Sequence, residues 1–139
     1  MALKAILDTR FYFSYYNPES TETAAWSKRI IQKVCKGKIK AGSSTITITE
    51  LYSTMGKVLG IEAVKTRIAS VKSSNINIIP VTEDIAELAG KTALNTPKIP
   101  LADATIAATA LIHAKGVVVT DDEHFKTIKG VKTKWLNNL

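Results

Sequence analysis

The sequence has 139 residues, 45% of them hydrophobic and 22% charged, which excludes wholesale disorder and suits one domain that buries a core without staples. Nineteen basic residues against twelve acidic ones leave a net charge of +7, and such an exterior suits a polyanionic partner such as nucleic acid. The single cysteine, Cys35, excludes an intramolecular disulfide, fits a reducing cytoplasm and reads as a small apolar core residue.

The segment from residue 2 to Leu7 is short and apolar and stops at Asp8, which predicts a buried strand feeding a loop that carries Asp8. It has neither the long apolar region nor the cleavage site of a signal peptide. Arg10 to Tyr16 predicts a short aromatic helix, broken at Asn17-Pro18. Thr21 to Lys36 predicts a helix with Trp26, Ile30, Ile31 and Val34 on one half and Lys28, Arg29, Lys33 and Lys36 on the other, ended by Gly37. Lys38 to Ser44 follows as a strand. In Thr45-Ile-Thr-Ile-Thr the alternation says strand, while Thr47-x-x-Glu50 before an apolar run says capping box. A helix from about Thr47 to Val58 is favoured, because Leu51, Met55, Val58 and Leu59 form a stripe.

Gly60 separates that helix from one near Glu62 to Lys72, with Ile61, Val64, Ile68 and Val71 facing inward. Asn75 to Pro80 reads as a strand. Thr82 caps the next helix, whose first turn holds Glu83 and Asp84 and whose buried side is Ile85, Leu88, Ala89 and Ala93. A turn-rich connection leads to a helix from Leu101 to about Lys115, closed by Gly116. Its apolar stretch is interrupted and too short for a membrane span. Val117 to Val119 is a buried β-branched strand, Asp121 to Lys129 a loop with a short helix, and Val131 to Leu136 an edge strand.

Alternating strands and helices predict an α/β fold whose sheet is mainly parallel, with helices on both faces. Ligands gather at the carboxyl ends of such strands. Asp8 and the pair Asp121-Asp122 follow strands directly, and Glu50 and Asp103 lie in first turns of helices that open at the same edge. Leu101, Ile106 and the neighbouring alanines set Asp103 in buried surroundings, where an unpartnered carboxylate is costly. Convergent acids repel one another unless a cation sits among them, and Mg²⁺ or Mn²⁺ prefers oxygen ligands. The pattern points to metal-assisted chemistry on a phosphate ester.

Four stretches carry a resemblance. They are Leu7-Asp8-Thr9, Thr49-Glu50-Leu51, Ile99-Pro100-Leu101-Ala102-Asp103-Ala104 with the helix that follows, and Val119-Thr120-Asp121-Asp122-Glu123-His124-Phe125. Over nearly its full length, read as one domain spanning 1–139, the chain resembles PIN-domain nucleases, close to the VapC-type toxins of toxin–antitoxin pairs. The resemblance implies a three-layer α/β/α fold and a metal-dependent endoribonuclease that hydrolyses RNA phosphodiester bonds, often as a homodimer. It implies that Asp8, Glu50, Asp103 and Asp122 hold one or two Mg²⁺ or Mn²⁺ ions, with Asp121 as the adjacent candidate for the fourth acid. Thr9 and Thr120 are expected to orient carboxylates or substrate, and His124 falls where relatives often carry another acid. Arg10 departs from the small polar residue usual after the first acid and hydroxyl; it is expected to contact phosphate or pair with a site acid. A cognate antitoxin is the expected protein partner and the cytoplasm the expected location.

Other readings of the same residues are an RNA-processing nuclease without an antitoxin, a catalytically silent RNA-binding module, and a receiver-like domain, for which no suitably placed late lysine is found. No Gly-rich phosphate loop or pair of histidines at ligand spacing is present. His113 reads as a packed or rim residue, and Trp26, Trp135, Tyr12, Tyr15 and Tyr16 as packing residues first. Lys126, Lys129, Lys132 and Lys134 read as a solvated basic tail, with phosphate contact as the alternative.

Overall fold

Five short strands form the frame. The computed structural model describes residues 3–137 and 139. Its strands are β1 (Ala5–Leu7), β2 (Ala41–Ser44), β3 (Asn77–Ile79), β4 (Val117–Val119) and β5 (Lys132–Lys134). They pair in the order β3-β2-β1-β4-β5, every pair parallel. The expected start of the first strand at residue 2 lies outside the described residues. The apolar β1 takes the central position, with Ile6 opposite both Gly42 and Val118. The expected edge strand is β5.

β2 is buried although its sequence is Ala-Gly-Ser-Ser, and close packing explains it. A Cβ on Gly42 would lie 2.8 Å from the Asn77 carbonyl oxygen and 2.7 Å from Leu3 Cδ1, so only glycine fits without movement. Ser43 donates to the Leu7 carbonyl oxygen at 2.8 Å, which satisfies its buried hydroxyl, and the Tyr12 hydroxyl lies 2.6 Å from the same Oγ.

The helices are α1 (Thr9–Tyr16), α2 (Thr21–Cys35), α3 (Thr45–Leu59), α4 (Ile61–Ser73), α5 (Glu83–Asn95) and α6 (Leu101–His113), with a short 3₁₀ helix at Glu123–Thr127. One core holds Phe11, Trp26, Ile30, Leu51, Met55 and Val64 from α1 to α4. The other holds Ile85, Ala89, Ile106, Ala107 and Ala110 from α5 and α6, with Phe125. The sheet lies between them, giving the expected three layers. The alanines of α6 let its backbone approach the sheet closely. Among the described residues no helix is long and apolar enough to cross a membrane.

Several local expectations are corrected. α3 begins at Thr45, capped by Ser44, whose hydroxyl accepts from the Ile46 amide at 3.2 Å. Thr47 is therefore a buried helical residue and not the cap, and Glu50 moves into the second turn. Val58 and Leu59 are exposed, as is Ile61, because the chain turns at Gly60 (φ 84°) and carries the end of the stripe past the core. Leu101 is 73% exposed. Residues two apart on a helix differ by about 200°, so turning Asp103 inward sends Leu101 outward. Cys35 is also exposed, one position round the helix from buried Val34, and lies 3.3 Å from the Ser74 carbonyl oxygen.

Gly42→Ala is expected to destabilise the protein by about 1–3 kcal/mol, because the Asn77 backbone must move aside. Urea denaturation measures it through a lower midpoint at unchanged slope.

Candidate active site

Parallel strands deliver their carboxyl ends to one edge, and the acids are found there. Asp8 follows β1 directly and is only 4% exposed. It occupies the N-cap position of α1 without capping through its side chain. Its Oδ2 instead accepts from Thr120 Oγ1 at 2.8 Å. Thr120 directly follows β4, and its Oγ1 also accepts from the Asp122 amide at 3.0 Å. One hydroxyl thus ties the first acid to the loop that carries the fourth.

Thr9 performs the equivalent task for Glu50. Its hydroxyl donates to Glu50 Oε1 at 2.6 Å and lies 3.2 Å from Thr47 Oγ1. Asp103 points inward from the first turn of α6 and is 8% exposed. His124 Nδ1 sits 3.3 Å from Asp103 Oδ2 and 2.9 Å from Asp122 Oδ1. Asp122 also caps the 3₁₀ helix, accepting from the His124 amide at 2.9 Å.

Asp121 is drawn aside. Arg10 holds it through Nε to Oδ1 at 3.0 Å and Nη2 to Oδ2 at 3.4 Å. The same guanidinium reaches Glu19 at 2.7 Å and Ser14 at 2.7 Å, and it lies 5.4 Å from the centre of the Trp135 ring. Trp135 packs on buried Trp26, whose Nε1 donates to the Asn137 carbonyl oxygen.

The electrostatics follow from this crowding. Burial pushes the Asp8 carboxyl up to about 7, with repulsion from Asp103 and Glu50 adding to it and the Thr120 hydroxyl and the Thr9 amide opposing it. Burial raises Asp103 to about 6, helped by repulsion from Asp122 and Glu50 and opposed by His124. These couplings place Asp8, Glu50, Asp103 and Asp122 in one electrostatic group. Among the described residues no lysine or arginine forms an ion pair with any of these four.

Such a donor set fits a divalent cation. Its oxygens are hard ligands, and apart from His124 no cationic side chain among the described residues pairs with them. Asp103, Asp122 and His124 each offer a ligand atom within 4.8 Å of the other two. The roles of Thr47 and of the Ser43–Tyr12 pair were not legible beforehand. Thr47 carried a signal, its three-residue spacing from Glu50, but that spacing marks a shared helix face and not a cap.

A family model of the PIN domain matches residues 5–131. The chain belongs to that family. The fold of this PIN domain is that of VapC toxins. The toxin–antitoxin complex from Klebsiella pneumoniae is similar at 26% identity and a TM-score of 0.65, covering 93% of this chain and 96% of the other. VapBC2 from Rickettsia felis, bound to a DNA fragment from its promoter, gives a TM-score of 0.71 at 18% identity over 94% and 97% of the two chains. VapC20 from Mycobacterium tuberculosis, a toxin that cleaves the sarcin-ricin loop, gives 0.67 at 17% identity over 88% and 92%. No curated protein sequence matches the chain significantly.

Thr120→Val removes the hydroxyl that lowers the Asp8 carboxyl, so the Asp8 titration is expected to move above about 7. Carboxyl-carbon NMR titration of the metal-free protein reads the shift directly.

Proposed function

We propose that this PIN domain is a metal-dependent endoribonuclease of the VapC toxin kind, hydrolysing RNA phosphodiester bonds in the cytoplasm. The observation that carries the reading is the group of four carboxylates at the carboxyl edge of the sheet, two of them buried with raised pKa values and none paired with a lysine or arginine among the described residues. Asp8, Glu50, Asp103 and Asp122 would hold one or two Mg²⁺ or Mn²⁺ ions, with His124 beside two of them. When bound, the cation supplies Lewis acidity toward the phosphoryl oxygens and the attacking water.

The chain's own groups provide the alignment. Thr120 fixes Asp8 and the Asp122 backbone in one register. Thr9 holds Glu50 across from α1. Arg10 keeps Asp121 out of the group, so Asp122 is the fourth acid in this reading. The neighbours' association with antitoxins supports a cognate antitoxin for this chain. Exposed Val58, Ile61, Leu94 and Leu101 offer apolar surface for that partner or for a homodimer.

Asp103→Asn is expected to lower cleavage of unstructured RNA by at least about 100-fold while the protein stays folded. A cleavage assay with circular dichroism checks both halves, and full activity in the folded variant refutes the assignment. Growth arrest on expression, relieved by a small protein from a neighbouring gene, tests the toxin role.

Acidity gives a second test. Unfolded Asp8 and Asp103 release their protons near 3.8, whereas the folded, metal-free groups hold them to about 7 and about 6. Between these values the folded state binds more protons, so metal-free stability falls as pH rises from about 4 to about 7. A cation binds the deprotonated form, so Mn²⁺ is expected to raise the melting temperature more at pH 8 than at pH 5, with a chelator reversing it. Thermal melts at the two pH values, with and without Mn²⁺, measure this.

A further inference from the structure

The edge of the sheet opposite the acids has the reverse polarity. A concavity of about 690 Å³ is lined there by Lys4, Lys38, Lys40, Lys115, Lys132 and Lys134. Lys4 precedes β1, Lys38 and Lys40 precede β2, Lys115 precedes β4, and Lys132 begins β5. Loops that enter parallel strands share one edge, so lysines far apart in sequence converge by the same topology that gathers the acids at the other. No aspartate or glutamate side chain lines the concavity, and among the described residues none of the six lysines is in an ion pair. Five of the six are exposed, and Lys134 is half-buried.

We propose that this concavity binds the phosphate backbone of RNA at a distance from the cleavage site, so that a folded RNA engages both edges of the sheet. The proposal rests on the nuclease reading for the choice of RNA. Lysine ammonium groups act as point charges toward phosphate, and a run of them fits a repeating anion. A phosphate backbone offers one charge at every nucleotide, more regularly than an acidic peptide does, and Leu3, Ile39 and Val117 lie among the lysines of the lining. The helices that cover the sheet are about 20 Å long, and an RNA hairpin of about twelve base pairs is long enough to reach from one edge to the other.

The test uses the full chain with the triple variant Lys38→Gln, Lys40→Gln and Lys132→Gln. A charge-matched control carries Lys28→Gln, Arg29→Gln and Lys91→Gln, which lie outside the concavity. Binding of an RNA hairpin of about 30 nucleotides is measured in chelator across a salt series, with thermal melts confirming folding. The edge variant is expected to bind about tenfold more weakly and to flatten the salt dependence by about two to three phosphate contacts. The control is expected to bind like the parent protein, and the edge variant to cleave an oligonucleotide of about five nucleotides at the parent rate in Mn²⁺. Unchanged binding by the edge variant overturns the proposal, as does equal weakening in the control. Lysine-dependent binding of polyglutamate that is tighter than that of the hairpin assigns the surface to an acidic protein and also overturns it. If the parent protein cleaves nothing yet binds the hairpin through these lysines, the nuclease reading fails and the RNA surface stands.

Discussion

Burial of carboxylates beside one another is the constraint on which the acidic edge turns. Burial and neighbouring acids both oppose ionisation of Asp8 and Asp103. The parallel sheet imposes the arrangement, because Asp8 has nowhere to go but the carboxyl end of the central strand. The protein supplies hydroxyls in place of countercharges. Thr9 and Thr120 reduce the cost of burial through hydrogen bonds while leaving the group negative. A lysine in place of either threonine would cancel part of that charge.

The acids are also sorted. Asp121 and Asp122 are neighbours in sequence with similar chemistry, yet they point to different partners. Arg10 takes the first, backed by Glu19 and the Trp135 face. His124 takes the second, whose backbone amide donates to the Thr120 hydroxyl. Arg10 therefore acts at the rim of the acidic group without entering it. The paired tryptophans beneath it connect this rim to the core of α2.

The molecule is polar along the strand direction, with carboxylates at one edge and lysines at the other. Both groupings follow from the same topology, since each parallel strand has an entering loop at one edge and a leaving loop at the other. The net charge of +7 hides this division, because a sum carries no direction.

The sequence by itself determined the layers and most elements. The apolar β1, the three valines of β4, the Thr82 cap and the glycines ending α2 and α3 all express local preferences that survive in the structure. The four acids were legible as a set because each adjoins an apolar run. Ser44 as the cap of α3, the outward turn of Leu101 and the exposure of Cys35 were not legible, since helix phase is fixed by what the sheet can accept and not by the stripe alone. Only the tertiary structure decided that Asp121 goes to Arg10 and Asp122 to the acids. That choice depends on hydrogen bonds between residues more than a hundred positions apart, and no local pattern encodes their distances.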